Sequence, residues 1–304
     1  MNLAFIFPGQ GCQKAGMAKE FYDNFKGAKE LLDSASDELK IDFKKIMFEG
    51  ENLDISEFTQ PAILLASHMA LSAFKESFSV EPKALLGHSL GEFSALVSAG
   101  AFSINEALKI VNKRGQFMAS DCEGKGAGMM VILGLDDEKI EQICASSGLS
   151  AYPANYNCDG QLVIAGLKDD LSALESRFKE AGAKRAMLLN MSVASHCPLL
   201  QNASAKLRAE LESALSASFA PVISNATAGP YDSKEKALEL LQKQLTSPVL
   251  YKQSIKACES EIDAFIEFGS SVLSGLNKKI SAKSTYSVFD MASLEATLSA
   301  LLKG

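Results

Sequence analysis

The segment Gly87-His88-Ser89-Leu90-Gly91 constrains the fold of this 304-residue chain more than any other. The apolar run Ala84–Leu86 before it predicts a buried strand, and the pattern of Glu92–Ser98 after it predicts a helix. Glycines on both sides of the serine relieve the crowding of a sharp strand-to-helix turn. The segment therefore predicts a nucleophile elbow, with Ser89 at a helix N-terminus whose free N–H groups can stabilise an oxyanion.

The same pattern also has a simpler interpretation, as an ordinary glycine-rich turn. At average glycine and serine frequencies it arises by chance in roughly one chain in ten of this length. The strand before it and the helix after it are the context that an elbow requires, and they favour a nucleophile. On this motif alone, Ser89 is a candidate.

Short apolar runs alternate with amphipathic helical patterns along the chain, which is typical of an α/β protein. Leu3–Phe7 is predicted to be a buried strand that leads into a glycine loop, and Pro61 to begin a helix that ends at Phe74. Ser103 and Glu106 form a predicted capping box for a helix that ends near Ser120. Later strands are predicted at Val222–Asn225, Ala264–Glu267 and Tyr286–Phe289.

The middle of the chain follows a different order of elements. After a glycine-rich stretch at 124–128, the predicted order is strand, helix, strand, strand, helix, strand, which is the ferredoxin-like arrangement. These elements are Met129–Leu133, Asp137–Ser146, Ala151–Asn155, Leu162–Ala165, Leu171–Glu180 and Ala186–Val193. We therefore predict a hydrolase-like α/β domain with a parallel sheet at 1–124 and 194–304, and an inserted ferredoxin-like α+β subdomain at 125–193.

A serine hydroxyl needs a base to become a good nucleophile, and the chain has three histidines. His88 adjoins Ser89, so its side chain should leave the turn in another direction, and His68 lies within a helical pattern. His196 follows the last subdomain strand and precedes Cys197-Pro198, which places it on a loop at a domain junction, where clefts form. His196 is the predicted base.

Arg114 borders the apolar stripe of the helix that follows Ser103. It lies three residues after Val111 and four before Met118, whereas Lys109 and Lys113 fall on the opposite face. An arginine directed inward needs an anion, and its planar fork suits a carboxylate. The alternatives are a snorkelling arginine or an internal ion pair.

Composition excludes several classes of function. The formal charge of −7 does not favour binding to nucleic acid or to an anionic membrane. No apolar run approaches the roughly 18–20 residues that span a bilayer, and the N-terminus lacks the pattern of a signal peptide. We expect a cytoplasmic location, by default. Six cysteines without a C-x-x-C pair predict free thiols and no metal site.

Taken together, these motifs resemble the malonyl-CoA:acyl carrier protein transacylase family. The match covers most of the chain in order and spacing, and its segments are Phe7–Gln13, Thr59–Ala62, Gly87–Glu92, Arg114–Met118, Ser195–Cys197, Pro153–Asn157 and Val163–Gly166. The resemblance implies a hydrolase-like core with a ferredoxin-like subdomain, as predicted above. It also implies malonyl-CoA and acyl carrier protein as partners in fatty-acid synthesis, with no cofactor.

The resemblance further implies a role for each matching residue. Ser89 would be acylated, His196 would act as general base and then general acid, and Arg114 would bind the malonyl carboxylate. The backbone N–H groups of Gln10 and Leu90 would form the oxyanion hole. The resemblance also assigns the backbone carbonyl of Leu250 to orient the histidine. It gives Asn155 and Asn157 as possible substrate contacts.

The sequence departs from the family pattern at three places. Cys12 stands where serine is usual, Leu250 where glutamine is common, and Gly269-Ser270-Ser271 lacks a second glycine. A carbonyl survives any side-chain change, so the orienting role could pass to Leu250.

The sequence also allows other functions. A serine esterase or thioesterase would share the elbow, although it has no reason to place an arginine beside the acyl group. An acyltransferase of a polyketide pathway would share the chemistry and differ in its carrier. A non-catalytic docking module would not need Ser89, His196 and Arg114 together. Because carrier proteins are acidic, Lys184-Arg185 is a candidate docking patch.

Overall fold

The computed structural model describes residues 1–303. The strands, in chain order, are β1 (Leu3–Phe7), β2 (Ala84–Gly87), β3 (Ala127–Leu133), β4 (Ala151–Cys158), β5 (Gln161–Leu167), β6 (Arg185–Leu188), β7 (Ser218–Ile223), β8 (Pro230–Ser233), β9 (Ala264–Phe268) and β10 (Ser284–Val288). The α-helices are α1 (Lys19–Asn24), α2 (Lys26–Leu39), α3 (Ser56–Ser77), α4 (Gly91–Ser98), α5 (Ile104–Cys122), α6 (Asp137–Ser147), α7 (Lys168–Glu180), α8 (Gln201–Ala214), α9 (Lys234–Thr246), α10 (Tyr251–Cys258), α11 (Val272–Asn277) and α12 (Met291–Leu301).

A four-stranded parallel sheet in the order β10-β9-β1-β2 forms the centre of the molecule. All five residues of β1 are buried, as expected of a central parallel strand that is covered on both faces. The rings of Phe5, Phe74 and Phe268 pack against one another on one face. The predicted α/β fold with a parallel sheet is confirmed.

A second, antiparallel sheet in the order β4-β5-β3-β6 is built from the middle of the chain. Its elements follow the predicted ferredoxin-like order, with α6 and α7 as the helices. Successive side chains of β3 point to opposite faces. Met130 and Ile132 join the core shared with α6 and α7, whereas Met129 and Val131 join the main core. The domain limits at 124/125 and 193/194 stay a prediction.

The last strand of this sheet is shorter than predicted. It ends at Leu188, so the predicted end at Val193 is wrong. Residues 189–197 form a loop in which Val193 and Ala194 are buried in the main core, while Leu189 and Met191 pack against it partly buried. A buried loop and a buried strand have the same apolar composition, which is why the pattern did not separate them.

Helix α3 begins at Ser56, so the predicted start at Pro61 is also wrong. Proline lacks an N–H and cannot bond to the carbonyl four residues earlier, which belongs to Glu57. Asn112 of α5 donates its side-chain N–H to that carbonyl at 2.7 Å. A neighbouring helix therefore satisfies the group that the proline leaves free, and α3 continues through it. The predicted capping box of Ser103 and Glu106 at the start of α5 is confirmed.

The two sheets are joined through the segment that follows α9. Val249 donates its N–H to Ala154 at 2.8 Å and accepts from the N–H of Tyr156 at 2.9 Å, which covers part of the edge of β4. Lys252 of α10 forms ion pairs with Asp137 and Asp159, at 2.6 and 3.1 Å. These contacts fix the segment between α9 and α10 against the antiparallel sheet.

Gly91 should be intolerant of any side chain, because a Cβ there would lie 2.0 Å from the backbone oxygen of Phe7. We expect Gly91→Ala to lower the free energy of unfolding by about 1–3 kcal/mol or more, and to impair activity by displacing the elbow. Gly275→Ala is the matched control, since a Cβ there meets no atom within 4 Å. Urea unfolding of both variants is the measurement, and equal stability of the two would contradict this account.

Candidate active site

Ser89 lies on the sharp turn between β2 and α4 in a left-handed conformation, with φ of 54°. Such a backbone is strained for a residue other than glycine, and strain of this kind is typical of a nucleophile elbow. The flanking glycines are needed for space, since a Cβ at Gly87 would lie 2.0 Å from the carbonyl carbon of Gly91. Asn225 holds the turn by accepting from the N–H of Ser89 at 2.6 Å and donating to the carbonyl of Gly87 at 2.7 Å.

Ser89 and His196, the predicted nucleophile and the predicted base, lie in hydrogen-bond contact. Ser89 Oγ lies 2.7 Å from His196 Nε2, and His196 Nδ1 lies 2.7 Å from the carbonyl oxygen of Gln244. A carbonyl only accepts, so Nδ1 carries the ring proton and Nε2 is free to accept the hydroxyl proton of Ser89.

The environment of His196 keeps its ring neutral. The side chain is 2% exposed. Burial lowers the pKa of His196 to about 3, and the positive charge of Arg114 acts in the same direction, while the Gln244 carbonyl opposes it. At neutral pH the imidazole is therefore a proton acceptor, which a general base must be.

The assignment of Leu250 as the residue that orients the histidine is wrong. The Leu250 carbonyl accepts from the backbone N–H and the hydroxyl of Ser254, at 2.9 and 2.8 Å, and so caps the start of α10. The carbonyl that contacts His196 belongs to Gln244, near the end of α9. The chain turns between Gln244 and Leu250, so their carbonyls serve different partners.

Arg114 is almost fully buried, with 1% of its surface exposed, and its guanidinium lies beside the nucleophile. Nη1 donates to Gln60 Oε1 at 2.7 Å, and Nη2 donates to Gln244 Oε1 at 3.1 Å and to Ser89 Oγ at 3.4 Å. Its carbon Cζ lies 5.5 Å from the centre of the Phe93 ring. Burial lowers the pKa of Arg114 to about 10, so it stays charged at neutral pH. It is neither a snorkelling residue nor a partner in a described ion pair.

The two backbone N–H groups proposed for the oxyanion hole belong to adjoining segments. A Cβ at Gly9 would lie 2.4 Å from the backbone oxygen of His88, so the loop that carries Gln10 passes directly against the elbow. Leu90 follows Ser89 at the start of α4. Within residues 1–303, neither N–H donates a hydrogen bond. Both are therefore available for an oxyanion, and their role stays a prediction.

Asn155 and Asn157 lie on β4, next to the elbow. Asn157 Oδ1 accepts from His88 Nε2 at 2.8 Å, which holds the His88 ring against β4. Asn155 faces the segment at Val249, and its side-chain oxygen is buried without a partner among residues 1–303. Asn157 therefore supports the elbow, whereas Asn155 has a buried side-chain oxygen without a partner among residues 1–303. Substrate contact by either stays a prediction.

Four residues of the site received no role from the sequence: Gln60, Glu92, Asn225 and Gln244. Gln244 interrupts the apolar face of α9 formed by Leu240, Leu241 and Leu245, and it is fully buried. Glu92, in the quoted motif, is also fully buried. A polar residue on an apolar stripe was the signal that could have identified Gln244.

At the other two departures from the family pattern, Cys12 and Ser270 both interact with Glu267. The thiol of Cys12 is free, and burial, together with the charge of Glu267, raises its pKa to about 12. Ser270 donates its hydroxyl to Glu267 and accepts from the N–H of Val272 at 3.2 Å. A thiol with a raised pKa is a poor nucleophile, so Cys12 is not expected to compete with Ser89 for the acyl group.

A cavity of about 580 Å³ lies at the junction of α5 with the antiparallel sheet. It is lined by Gln116, Ser120, Gly126 and Val193, among others. The residues that line it do not include Ser89, Arg114 or His196. Among residues 1–303, no helix is long and apolar enough to cross a membrane, and no cluster of side chains is arranged to hold a metal ion.

An α/β fold in which a serine and a histidine are in hydrogen-bond contact suits an acyl transferase. The model of the acyl transferase domain family matches residues 4–290, which is most of the chain. The chain is therefore an acyltransferase.

Similar proteins define the family more narrowly. A malonyl CoA-acyl carrier protein transacylase of Bacillus subtilis (strain 168) is 39% identical over 309 residues, covering 99% of this chain and 97% of that protein. The crystal structure of malonyl-CoA:acyl carrier protein transacylase from Helicobacter pylori superimposes with a TM-score of 0.96 at 45% identity, covering 99% of each chain. This chain belongs to the malonyl CoA-acyl carrier protein transacylase family.

One further solved structure contains a partner. It is a type II PKS acyl-carrier protein in complex with its malonyl-transacylase, which is 35% identical with a TM-score of 0.95 and covers 99% of this chain and 100% of that chain.

Removing the His196 imidazole should slow acyl transfer by about two to four orders of magnitude, the usual contribution of a general base. His196→Ala is the variant, and the steady-state rate of acyl transfer is the measurement. Leu250→Gln is the matched control, since its carbonyl contacts Ser254 and not His196. A loss as large in Leu250→Gln as in His196→Ala would show that damage to this region, and not removal of the imidazole, slows transfer, and would contradict the role of His196 as the base.

Proposed function

We propose that this enzyme transfers malonyl from malonyl-CoA to the phosphopantetheine thiol of acyl carrier protein, through a malonyl ester of Ser89. One observation carries the proposal: Ser89 Oγ lies within 2.7 Å of a neutral imidazole and 3.4 Å of a buried guanidinium. The first group activates the oxygen, and the second can bind a carboxylate on the acyl group. A supply of malonyl for fatty-acid synthesis, in the cytoplasm, is part of the proposal.

In the first half-reaction, His196 Nε2 takes the hydroxyl proton while Ser89 Oγ attacks the thioester carbonyl. The negative charge that develops on the carbonyl oxygen is stabilised by the N–H groups of Gln10 and Leu90. The carbon–sulfur bond then breaks, and the CoA sulfur leaves with the proton from His196. The product is malonyl esterified to Ser89, with its carboxylate on Arg114.

The second half-reaction runs through the same groups in reverse. His196 removes the proton from the phosphopantetheine thiol, whose sulfur attacks the ester carbonyl, and the proton then returns to Ser89 as the ester breaks. CoA leaves before the carrier enters, so the kinetics are ping-pong. The carrier approaches from solvent, and the exposed pair Lys184 and Arg185 at the start of β6 stays the candidate docking patch.

The competing hydrolytic function has less support. An esterase usually orients its histidine with a carboxylate, whereas the partner of His196 is a backbone carbonyl. A simple esterase also gains nothing from a buried charge beside the acyl group, since burial of an unpaired charge is costly. A carrier of a polyketide pathway is the alternative acceptor, and the similarity to a malonyl-transacylase bound to a type II PKS carrier supports it. The chemistry at Ser89 is the same for both carriers.

The covalent intermediate should be visible by mass spectrometry. We expect incubation with malonyl-CoA to add one malonyl group to Ser89, and subsequent carrier protein to remove it. Ser89→Ala should give no adduct, because the attacking oxygen is absent. A malonyl group found on Cys12 or Cys197 in place of Ser89 would overturn the mechanism.

The role of Arg114 predicts a change in selectivity. Malonyl differs from acetyl by a carboxylate, and hydrogen bonds to charged groups contribute about 1.5–3 kcal/mol each. Arg114→Ala should therefore lower malonyl transfer by orders of magnitude while acetyl transfer stays level or rises. The ratio of the two rates is the measurement, because it cancels general damage to the fold. A proportional fall in both rates would make Arg114 a structural residue.

A further inference from the structure

The acceptors around Arg114 are unusual for a fully buried guanidinium. A buried arginine is normally paired with a carboxylate, because an unpaired buried charge is costly. The described acceptors of Arg114 are the side-chain oxygens of Gln60 and Gln244 and the hydroxyl of Ser89, none of which carries a charge. Both Nη atoms donate hydrogen bonds, which fixes the orientation of the guanidinium. Because the acceptors are neutral, none of them offsets its positive charge.

A carboxylate is nevertheless close by. Glu92 is fully buried, and its oxygens accept from Tyr231 Oη at 2.7 Å, Gln244 Nε2 at 2.7 Å and the N–H of Asn225 at 3.1 Å. It makes no hydrogen bond to Arg114 among the described residues. The side-chain amide of Gln244 lies between the two groups.

The orientation of that amide follows from its neighbours. Its oxygen faces a guanidinium, which can only donate, and its nitrogen faces Glu92 and the carbonyl of Ser89, at 2.7 and 3.0 Å, which accept. The opposite orientation would place donor against donor and acceptor against acceptor. Gln244 therefore separates Glu92 from Arg114 by one polar group, while its backbone carbonyl holds His196.

We propose that the neutral oxygens of Gln60 and Gln244 determine the specificity of this site for an acyl group that carries a carboxylate. They position the guanidinium without neutralising it, and Gln244 keeps Glu92 from pairing with it. The carboxylate of the acyl group is then the first anion to reach Arg114. This inference rests on the proposed function, and it assigns Gln60 and Gln244 as positioning residues.

The sharpest test is Gln60→Glu, which has nearly the same shape and places a carboxylate 2.7 Å from Nη1. Among residues 1–303, the side-chain nitrogen of Gln60 donates only to the sulfur of Met118, at 3.6 Å, so little else is lost. We expect the ratio of malonyl to acetyl transfer to fall at least about tenfold, through a higher KM for malonyl-CoA, because the new carboxylate competes for Arg114.

Gln116→Glu is the matched control. It adds the same charge to α5, two residues from Arg114, where the Gln116 side chain contacts Asn112. Its ratio should stay at the wild-type value. An equal fall in both variants would show a general effect of negative charge and would overturn the proposal.

A second variant covers the case in which Gln60→Glu does not fold. The double variant Glu92→Gln/Gln244→Glu keeps the net charge and moves the carboxylate onto Nη2. It leaves the N–H of Asn225 or the carbonyl of Ser89 poorly paired, so the rates of malonyl and acetyl transfer should both fall. Malonyl transfer should fall more than acetyl transfer, which lowers the ratio of the two below the wild-type value. A wild-type ratio in a folded variant, or a proportional loss of both activities, would overturn the proposal.

Arg114→Ala, measured in parallel, separates this inference from the proposed function. If Arg114→Ala lowers the ratio and the glutamine variants do not, only the role of Gln60 and Gln244 is wrong. If Arg114→Ala leaves the ratio unchanged, the carboxylate-binding role of Arg114 itself is wrong.

Discussion

The burial of the positive charge of Arg114 determines which groups can surround it in the active site. Arg114 projects from α5 into the interior, where water cannot solvate it, and two amide oxygens and a hydroxyl take the place of water. The same charge acts on His196, whose pKa falls further because a second cation beside Arg114 is unfavourable. The arginine that suits an anionic acyl group therefore also helps to keep the base neutral.

Gln244 connects these two functions within one residue. Its carbonyl holds the tautomer of His196, and its side chain contacts Arg114, Glu92 and the backbone of Ser89. Burial raises the pKa of Glu92, whereas its three donors and Arg114 favour the ionised form. A small movement of the end of α9 would thus disturb the base, the nucleophile and the arginine together, which explains why the following segment is tied to β4 at Val249.

Much of this arrangement could be predicted because its signals are local. The elbow, the capping box of α5 and the inward position of Arg114 each depend on residues within one or two turns of chain. The errors share another property, since each depends on a partner that is distant in sequence. Asn112 allows α3 to pass through Pro61, the main core buries the loop after Leu188, and a turn selects the carbonyl of Gln244 over that of Leu250. Both residues have a backbone carbonyl, so only the polar side chain of Gln244 on the apolar face of α9 distinguished it from Leu250 in the sequence.

The order of strands in the central sheet has a consequence for how the protein is made. Strand β1 is synthesised first, but one of its two neighbours is β9, near the C-terminus, whereas all strands of the antiparallel sheet lie between Ala127 and Leu188. Because chains emerge from the ribosome N-terminus first, the inserted sheet can fold while β1 is paired only with β2 and still lacks β9. The nucleophile likewise emerges before its base and before Gln244. A nascent chain that has not yet reached His196 and Gln244 therefore carries Ser89 without its proposed base and without the carbonyl that contacts that base.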